Sequence, residues 1–512
     1  MKVDVLIVGT GPVGATFARL LSERRPRARI LLLDLGPRLT ATAGLHVKNI
    51  ADATAREQAQ VRSQGPYRHP YPAVSVPERA EAVRAGLRHP DFLARPGTHL
   101  VAETEEDLAA TEMPAAALSS NVGGMAAHWT CACPRPGNGE RIPFLAPEDY
   151  ERTLTMAERL LHVRQDAFPE TPEGAAILRV LGQALNDLLP PHRRVQRMPL
   201  ACRLDAQGRR HWTGVDTILG EAARPGYEGP ITIRSETLCR MLLVDRDRVR
   251  GAVVEDLRTG VQETIEARVV FVAADSFRTP QLLWASGIRP PALGRYLNEH
   301  PFIFTFVELR PDLVNPEDAP AYDPAARDDP TIGVFWVPFE APSHPFHGQI
   351  MHMDVSPLQT RSERDPRHIV GLGWGPLKEM RAEDRIVFSD ERTDHLGMPA
   401  MTVSYSLTEY DLEAIEAARE EQARVVAAFG RILEEGRQTL MPPGSSLHYC
   451  GTVRMGEVDD GTSVCDPSSR VWGLQNLFVG GNGVIPLPTA SNPTLHSVAL
   501  AVLACDHAAE LL

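Results

Sequence analysis

The 512-residue chain is poor in lysine, and this shortage excludes several kinds of partner. Lysine occurs only at positions 2, 48 and 378, and the formal net charge is −13. No basic cluster is present that could bind the phosphates of a nucleic acid or an anionic membrane surface. We assign the acidic balance to a solvated surface and expect neither nucleic acid nor membrane as a partner.

Long apolar runs and paired cysteines are also missing. No run reaches the roughly 18 apolar residues that cross a bilayer, and strand-like sequence begins by Val3, which leaves no room for a signal peptide. The seven cysteines are odd in number and scattered, and Cys131 and Cys133 lack a second pair at zinc-ligand spacing. We therefore expect a soluble, cytoplasmic protein with neither a disulfide framework nor a bound metal.

The first 36 residues carry a pattern typical of dinucleotide binding. An apolar run from Val3 to Val8 precedes Gly9-Thr10-Gly11-Pro12-Val13-Gly14, after which apolar residues recur at helical spacing. A second apolar run, residues 30 to 33, ends at Asp34. A strand, a glycine turn, a helix and a second strand ending in an acid together form the dinucleotide-binding fingerprint.

Each residue of this pattern has a physical role. Gly9 permits the tight turn, Gly11 lets the backbone approach a pyrophosphate, and Gly14 lets the helix pack against the strand. The pyrophosphate would accept hydrogen bonds at the positive end of the helix, and Asp34 would accept one from a ribose hydroxyl. The alternative is a βαβ turn with a structural role only, and the complete pattern favours the dinucleotide.

The remaining sequence predicts an α/β protein with two discontinuous domains. A Rossmann-like cofactor domain is predicted from residues 1–150, 200–300 and 441–512, and a substrate domain from residues 151–199 and 301–440. The substrate domain is expected to have a mostly antiparallel sheet flanked by helices.

Two helix starts are predicted from capping residues. Thr408 and Asp411 resemble a capping arrangement before a long amphipathic helix, and Asn492-Pro493 predicts an N-cap and first helical residue for the final helix. The buried side of the long helix is expected to contain Leu412, Ile415, Val425, Val426, Phe429, Ile432 and Leu433.

Several separated segments resemble the glucose-methanol-choline oxidoreductase family, and more closely its pyranose oxidase branch. The general family pattern is found at residues 5–14, 34–36, 279–283, 286–288, 293–295 and 492–494. The narrower branch pattern is found at residues 44–49, 122–125, 128–132, 344–350 and 454–456.

The resemblance implies FAD as the cofactor and oxidation of a secondary ring hydroxyl of a pyranose or glycoside to a keto sugar. His448 matches the residue that takes the hydroxyl proton, and Asn492 matches a hydrogen-bond partner of the reacting oxygen. Local sequence alone favours a core histidine at position 448 and fully explains Asn492 as a helix cap, so the assignment of both residues to catalysis follows from the resemblance. Oxygen would reoxidise the cofactor and form hydrogen peroxide. The alternatives are a sugar dehydrogenase using a quinone, a nicotinamide-dependent dehydrogenase and a flavin-binding protein without catalysis.

Further cofactor residues follow from the same resemblance. His128 matches the histidine that carries a covalent flavin bond in fungal pyranose oxidases. Covalent attachment and a packed, hydrogen-bonded histidine both stay open here. Thr130 matches a hydroxyl near flavin N5. The other positions assigned to the cofactor are Pro12, Val13, Gly123, Gly124, Trp129, Cys131, Ala132, Cys239, Ala274, Asn482, Pro493 and Thr494.

The substrate side departs from the family pattern. Gln349 matches a residue that contacts the sugar, but Met353 occupies the place of the following acid, and Asp354 lies one position later. Val453 replaces a second histidine of the fungal pattern. Gln349, Met353, Asp354, His448 and Asn492 are thus the expected substrate residues. Oxidation at C2 of a free sugar and at C3 of a glycoside both stay open, since bacterial glycoside 3-oxidases belong to this branch.

Overall fold

The computed structural model describes residues 1–64, 97–102, 104–313, 333–352, 368–433 and 437–512. Its α-helices are α1 (Pro12–Arg24), α2 (Ala53–Gln64), α3 (Glu105–Ala110), α4 (Pro147–Leu161), α5 (Pro172–Leu185), α6 (Val215–Leu219), α7 (Asp275–Ala285), α8 (Glu409–Phe429) and α9 (Thr494–Ala508). The strands are β1 (Lys2–Val8), β2 (Ile30–Leu33), β3 (Gly97–Leu100), β4 (Ala117–Ser120), β5 (Val163–Arg164), β6 (Gln196–Arg197), β7 (Leu200–Leu204), β8 (Arg210–Trp212), β9 (Ile231–Arg234), β10 (Thr237–Asp245), β11 (Arg248–Asp256), β12 (Gln262–Val272), β13 (Ile303–Leu309), β14 (Gly333–Val337), β15 (Phe346–His352), β16 (Ile369–Pro376), β17 (Arg385–Thr393), β18 (Pro399–Ser404), β19 (Gly430–Ile432), β20 (Thr439–Leu440) and β21 (Leu477–Val479).

The first sheet is a parallel core with an antiparallel edge. β1 lies between β12 and β2 and runs parallel to both, while β9 continues the parallel array beside β2. β21 pairs in parallel with the end of β12, and β10 and β11 form an antiparallel ribbon on the start of β12. The sheet therefore joins segments from both ends of the chain and from its middle.

Apolar layers cover both faces of this sheet. Side chains of β1 alternate, so Val5 and Ile7 join one buried cluster and Leu6 and Val8 the other. Helices α1 and α9 pack in the first of these layers through residues such as Phe17. Burial on both sides explains why β1 and β2 read as continuous apolar runs.

The second sheet is antiparallel and has the order β19-β13-β16-β15-β14-β6, with β20 also paired to β13. Helices α5 and α8 cover it through a cluster that includes Ile177 and Phe429. The predicted α/β class, with a Rossmann-like sheet and a mostly antiparallel second sheet, is confirmed. The division of the chain into two domains stays a prediction.

The cap and the end of α8 illustrate one confirmed and one corrected expectation. Thr408 and Asp411 exchange both bonds of a capping box, as predicted. The helix ends at Phe429, however, because the chain there turns into β19, so Ile432 lies in a strand. Leu412 is 50% exposed and faces solvent. Among the described residues, the helices are all too short or too polar to cross a membrane.

Candidate active site

The three glycines of the first turn serve different purposes. Gly9 has φ +102°, and a Cβ there would lie 2.1 Å from the Ala273 carbonyl oxygen. A Cβ on Gly14 would lie 2.0 Å from the Gly9 carbonyl oxygen, whereas a Cβ on Gly11 would meet nothing within 4 Å. Gly9 and Gly14 are thus required by packing, and Gly11 leaves open space in front of α1. Because Gly11 also caps α1 without a side chain, the first N–H groups of the helix stay available to an anion.

Asp34 stands at the end of β2 and organises the glycine turn. Its Oδ2 accepts hydrogen bonds from the Thr10 hydroxyl at 2.5 Å and the Thr10 N–H at 3.3 Å, and its Oδ1 accepts one from the Gly36 N–H. Burial raises the pKa of Asp34 to about 6. The Thr10 hydroxyl also accepts a bond from the Gly123 N–H, which connects the two glycine-containing loops. The ribose contact of Asp34 stays a prediction.

One large cavity begins at this turn and reaches the second sheet. Its volume is about 1560 Å³, which exceeds the roughly 300–1,000 Å³ typical of small-ligand sites. The space therefore suits a dinucleotide together with a substrate. The predicted site residues that line it are Gly9, Gly11, Pro12, Val13, Asp34, Gly124, His128, Trp129, Thr130, Ala132, Cys239, Ala274, Gln349, His448, Asn482, Asn492 and Thr494.

Four predicted site residues lie behind the cavity wall, and two others belong to a part of the chain that the structure does not describe. Gly14, Gly123, Cys131 and Pro493 support the lining rather than form it. Cys131 is buried with φ +63°, so it shapes the loop that carries His128. Met353 and Asp354 lie outside the described residues.

The loop carrying His128 is held by several hydrogen bonds. The Trp129 indole N–H donates to the Thr213 carbonyl at 2.7 Å, and His46 lies 3.0 Å from the Trp129 carbonyl. The Thr98 hydroxyl donates to the Ser63 carbonyl, so the His128 Nε2, 3.3 Å from that hydroxyl, must donate to it. The proton of His128 is therefore on Nε2, and its buried Nδ1 has no partner among the described residues. Burial lowers the pKa of His128 to about 4.

His448 and Asn492 meet at the other end of the cavity, although they are 44 residues apart. The Asn492 amide lies 3.3 Å from His448 Nε2. Leu447, with φ +59°, and the Ser446 hydroxyl, which accepts the His448 N–H, fix the backbone before the ring. Burial lowers the pKa of His448 to about 4, so the ring is neutral at ordinary pH.

The expected N-cap role of Asn492 is wrong. The residue preceding α9 is Pro493, and no side chain caps the helix. The Asn492 amide instead contacts His448 and the amide of Gln349, because both lie against the cavity wall. The side chain is therefore committed to the site rather than to the helix.

Two histidines that the sequence analysis did not assign extend this arrangement. His300 Nδ1 lies 3.3 Å from His448 Nδ1, and His347 Nε2 lies 2.9 Å from the Gln349 amide. Burial lowers the pKa of His347 to about 3 and that of His300 well below its usual value. His347 belongs to the recognised 344–350 segment, but His300 lies outside every segment that carried a role.

Glu140 secures the backbone before Asn492. Its fully buried carboxylate accepts hydrogen bonds from the N–H groups of Ala490 and Ser491 at 2.7 Å each and from the Ser491 hydroxyl at 2.9 Å. It also accepts the Gly137 N–H at 2.8 Å. A buried carboxylate with four donors is well satisfied, so it fixes where Asn492 stands.

The site can support acid–base chemistry on a bound hydroxyl. Neutral imidazole and amide groups converge at one wall of the cavity, and at the opposite end no side chain caps the start of α1, which could therefore accept an anion. Within the described ranges, no cluster of three or more His, Cys, Asp or Glu side chains is arranged to bind a metal ion. All seven cysteines are buried thiols.

Comparison with known proteins gives a consistent result. Two family models described as GMC oxidoreductase match residues 138–302 and 385–501. The chain is 46% identical to a C-glycoside 3-oxidase of Microbacterium trichothecenolyticum, over 99% of this chain and 97% of the relative. It is 44% identical to a C-glycoside 3-oxidase of Arthrobacter globiformis, over 100% of this chain and 95% of that one.

The chain is also similar to more distantly related oxidases. A pyranose 2-oxidase of Tricholoma matsutake is 29% identical over 98% of this chain and 92% of its own length. A crystal structure of pyridoxine 4-oxidase from Mesorbium loti superposes with a TM-score of 0.59 at 18% identity, covering 99% of each chain. The structural match supports the fold alone.

Proposed function

The chain belongs to the GMC oxidoreductase family, and from this premise we propose that it is a glycoside 3-oxidase that oxidises a secondary sugar hydroxyl and reduces oxygen to hydrogen peroxide. The observation that carries the proposal is the pairing of His448 with Asn492 at the wall of the large cavity. The choice of C3 over C2 and of oxygen over a quinone rests on the names of the relatives that are 44–46% identical.

The family implies FAD, and the residues of this chain fit it. The open space at Gly11 and the uncapped start of α1 suit a pyrophosphate, and Gly481, with φ +101°, likewise leaves the cavity side of its backbone open. When bound, FAD takes up the two electrons and the hydrogen that leave the sugar carbon and later delivers them to the acceptor.

His448 and Asn492 would act on the sugar hydroxyl. Neutral His448 accepts the hydroxyl proton at Nε2, which makes the carbon a better hydride donor. Asn492, fixed through Glu140, hydrogen-bonds to the oxygen that gains negative charge. Gln349 and Met351 stand on the same face of β15 and line the cavity, so they would contact the ring of the bound sugar.

His128 is the residue proposed for a covalent bond to the flavin. Its Nδ1 is unprotonated and lacks a partner among the described residues, and the ring is neutral because burial lowers its pKa to about 4. These are the properties of a nucleophilic nitrogen. Acid precipitation of the purified protein tests the link: flavin is expected in the pellet, and its complete release into the supernatant would contradict the proposal.

Anaerobic reduction tests the activity itself. The purified protein is expected to be yellow and to bleach when mixed with aryl or alkyl glycosides under nitrogen. A screen of glycosides and free sugars, read by peroxide formation and by a quinone dye in parallel, identifies substrate and acceptor. NMR of the product then distinguishes a 3-keto from a 2-keto sugar. Failure of every sugar to bleach the flavin would overturn the proposal.

A further inference from the structure

A buried tryptophan determines which nitrogen of His347 carries the proton. The Trp336 indole N–H donates to His347 Nδ1 at 3.2 Å, and both side chains are buried. An indole nitrogen only donates, so His347 Nδ1 must present its lone pair. His347 is neutral, since burial lowers its pKa to about 3, and its proton is therefore on Nε2.

The position of this proton determines which atom of the Gln349 and Asn492 side-chain amides is oxygen and which is nitrogen. The Gln349 amide atom 2.9 Å from His347 Nε2 must be an acceptor and is therefore Oε1. The same atom contacts the Asn492 amide, so the Asn492 atom at that contact must be the donor Nδ2. Amide orientation in a protein follows from such hydrogen bonds. The oxygen of Asn492 then faces His448, and the second N–H of its Nδ2 remains to donate to the oxygen of a bound substrate.

The same series of hydrogen bonds continues through His448 to His300. His448 Nε2, 3.3 Å from the Asn492 amide, must carry a proton to meet an oxygen, and its Nδ1 then presents a lone pair. His300 Nδ1, 3.3 Å away, supplies the proton for that contact, and His300 Nε2 accepts from the Thr489 hydroxyl at 3.2 Å. In this arrangement each of these contacts joins one donor to one acceptor. If all donors and acceptors were exchanged, two N–H groups would face each other between His347 and Gln349.

We propose that Trp336 and His347 are positioning residues that orient the amides of Gln349 and Asn492 and thereby hold His448 as its Nε2–H tautomer in the substrate-free site. The inference rests on the proposed function, in which His448 is the base. A base needs the lone pair on Nε2, so the resting form of His448 differs from the reacting form. Before it can act, His448 has to change to its Nδ1–H tautomer, in which Nε2 loses its proton to solvent and Nδ1 gains one from solvent, and the sugar hydroxyl then takes the place of the Asn492 oxygen at Nε2.

Nitrogen-15 NMR of the flavin-loaded protein tests this inference without any sugar. The protein is labelled with ¹⁵N-histidine, and His448 is assigned by comparison with the H448Q variant. We expect a protonated Nε2 and an unprotonated Nδ1, with the opposite tautomer at least about tenfold less populated because it leaves a buried donor unpaired. A proton found on Nδ1 of His448 in the wild-type protein would overturn the inference.

A pair of tryptophan variants tests the cause. W336F removes the donor to His347, and the Nδ1–H form of His448 is expected to increase at least about fivefold. W374F is the matched control, because the fully buried Trp374 has an indole N–H without a partner among the described residues. An unchanged His448 spectrum in W336F would contradict the role of Trp336, and the wild-type spectrum decides the resting tautomer even if W336F does not fold. Since no turnover is measured, failure of sugars to bleach the flavin would count against the proposed function alone.

Discussion

His448 combines two properties that a base needs at the residue scale. Its ring stands at the cavity wall beside Asn492, and burial keeps it neutral by lowering its pKa to about 4. A protonated ring would have to hold a positive charge in the same buried space, next to His300. The surroundings therefore favour the form that can accept a proton.

Removing the ring should abolish most of the reaction. We expect H448A to reduce the rate of anaerobic flavin reduction by about 10² or more, in keeping with the loss of a general base. Stopped-flow absorbance at saturating glycoside measures this rate. Flavin content and melting temperature serve as controls, and reduction at the wild-type rate would show that another group takes the proton.

The lowered pKa of His448 gives a second expectation, which concerns pH. The proposed mechanism requires the neutral form of His448, so the second-order rate constant of flavin reduction should stay level from about pH 8 to about pH 5 and fall only near pH 4. An imidazole with the usual pKa of about 6.5 would already have lost roughly 30-fold at pH 5. Rapid pH-jump mixing measures the profile before the protein unfolds, and a descending limb centred near pH 6.5 would contradict the assignment.

Some residues of the site could be predicted from sequence patterns and others could not. His448, Asn492 and Gln349 were found because they match a family pattern, not because local sequence required them. His300 was missed since a single histidine before a strand carries no periodic signal. Its meeting with His448 depends on the pairing of residues 298 and 450, which are far apart in the chain.

At the scale of elements, two glycines of the turn between β1 and α1 should differ in their effects: Gly9 is needed for folding and Gly11 for cofactor binding. We expect G9A to give little folded protein, because φ +102° and the Ala273 carbonyl at 2.1 Å exclude a Cβ. G11A should fold, since its Cβ meets nothing and its φ of −62° is ordinary, but it should bind FAD at least about tenfold more weakly. Soluble yield, melting temperature and flavin titration of the apoprotein distinguish the two effects.

The loop containing Glu140 should affect catalysis through the segment before α9. E140Q places an amide N–H against the Gly137 N–H or the Ser491 hydroxyl, so we expect flavin reduction to slow about tenfold. S491A removes only one of the four donors and should be milder. In an N492A background the E140Q change should add little, because it acts through Asn492. A full additional loss there would instead indicate a general packing defect.

Element boundaries were harder to predict than element types. The strand–turn–helix at the start was recognisable because both faces of the sheet are covered and the apolar runs are continuous. The end of α8 was not, since Ile432 and Leu433 continue the apolar pattern into β19 and its connection. Periodicity alone does not reveal where backbone pairing with β13 takes over from the helix.

At the scale of the whole molecule, buried imidazoles should make the fold sensitive to acid. The pKa values of His46, His347 and His496 are lowered to about 3, and those of His128 and His448 to about 4, in each case chiefly by burial. In the unfolded chain these rings titrate near pH 6.5, so folding stability is full above that pH and is lost as the pH falls toward 3 to 4.

Three buried carboxyl groups, those of Asp34, Asp216 and Asp275, have a raised pKa and act in the opposite direction. Burial raises the pKa of Asp34 and Asp216 to about 6, which favours the folded state as the pH falls toward 4. At pH 5 each imidazole costs about 2 kcal/mol and the carboxyls of Asp34 and Asp216 each offset about 1 kcal/mol, so the five imidazoles dominate. We expect the free energy of unfolding, measured by urea titration at fixed flavin saturation, to decrease between pH 7.5 and pH 5. A value that rises over this range would contradict the expectation.

The sheet that faces the cofactor cavity has an implication for biosynthesis. Its strands β1 and β2 are synthesised long before β21 and α9, which complete its edge and one covering layer. A nascent chain still attached at residue 470 would have the glycine turn but would lack Asn492 and β21, the strand that pairs with the end of β12. We therefore expect flavin capture to wait until β21 and α9 have been added, so that a chain truncated before β21 should be colourless when purified.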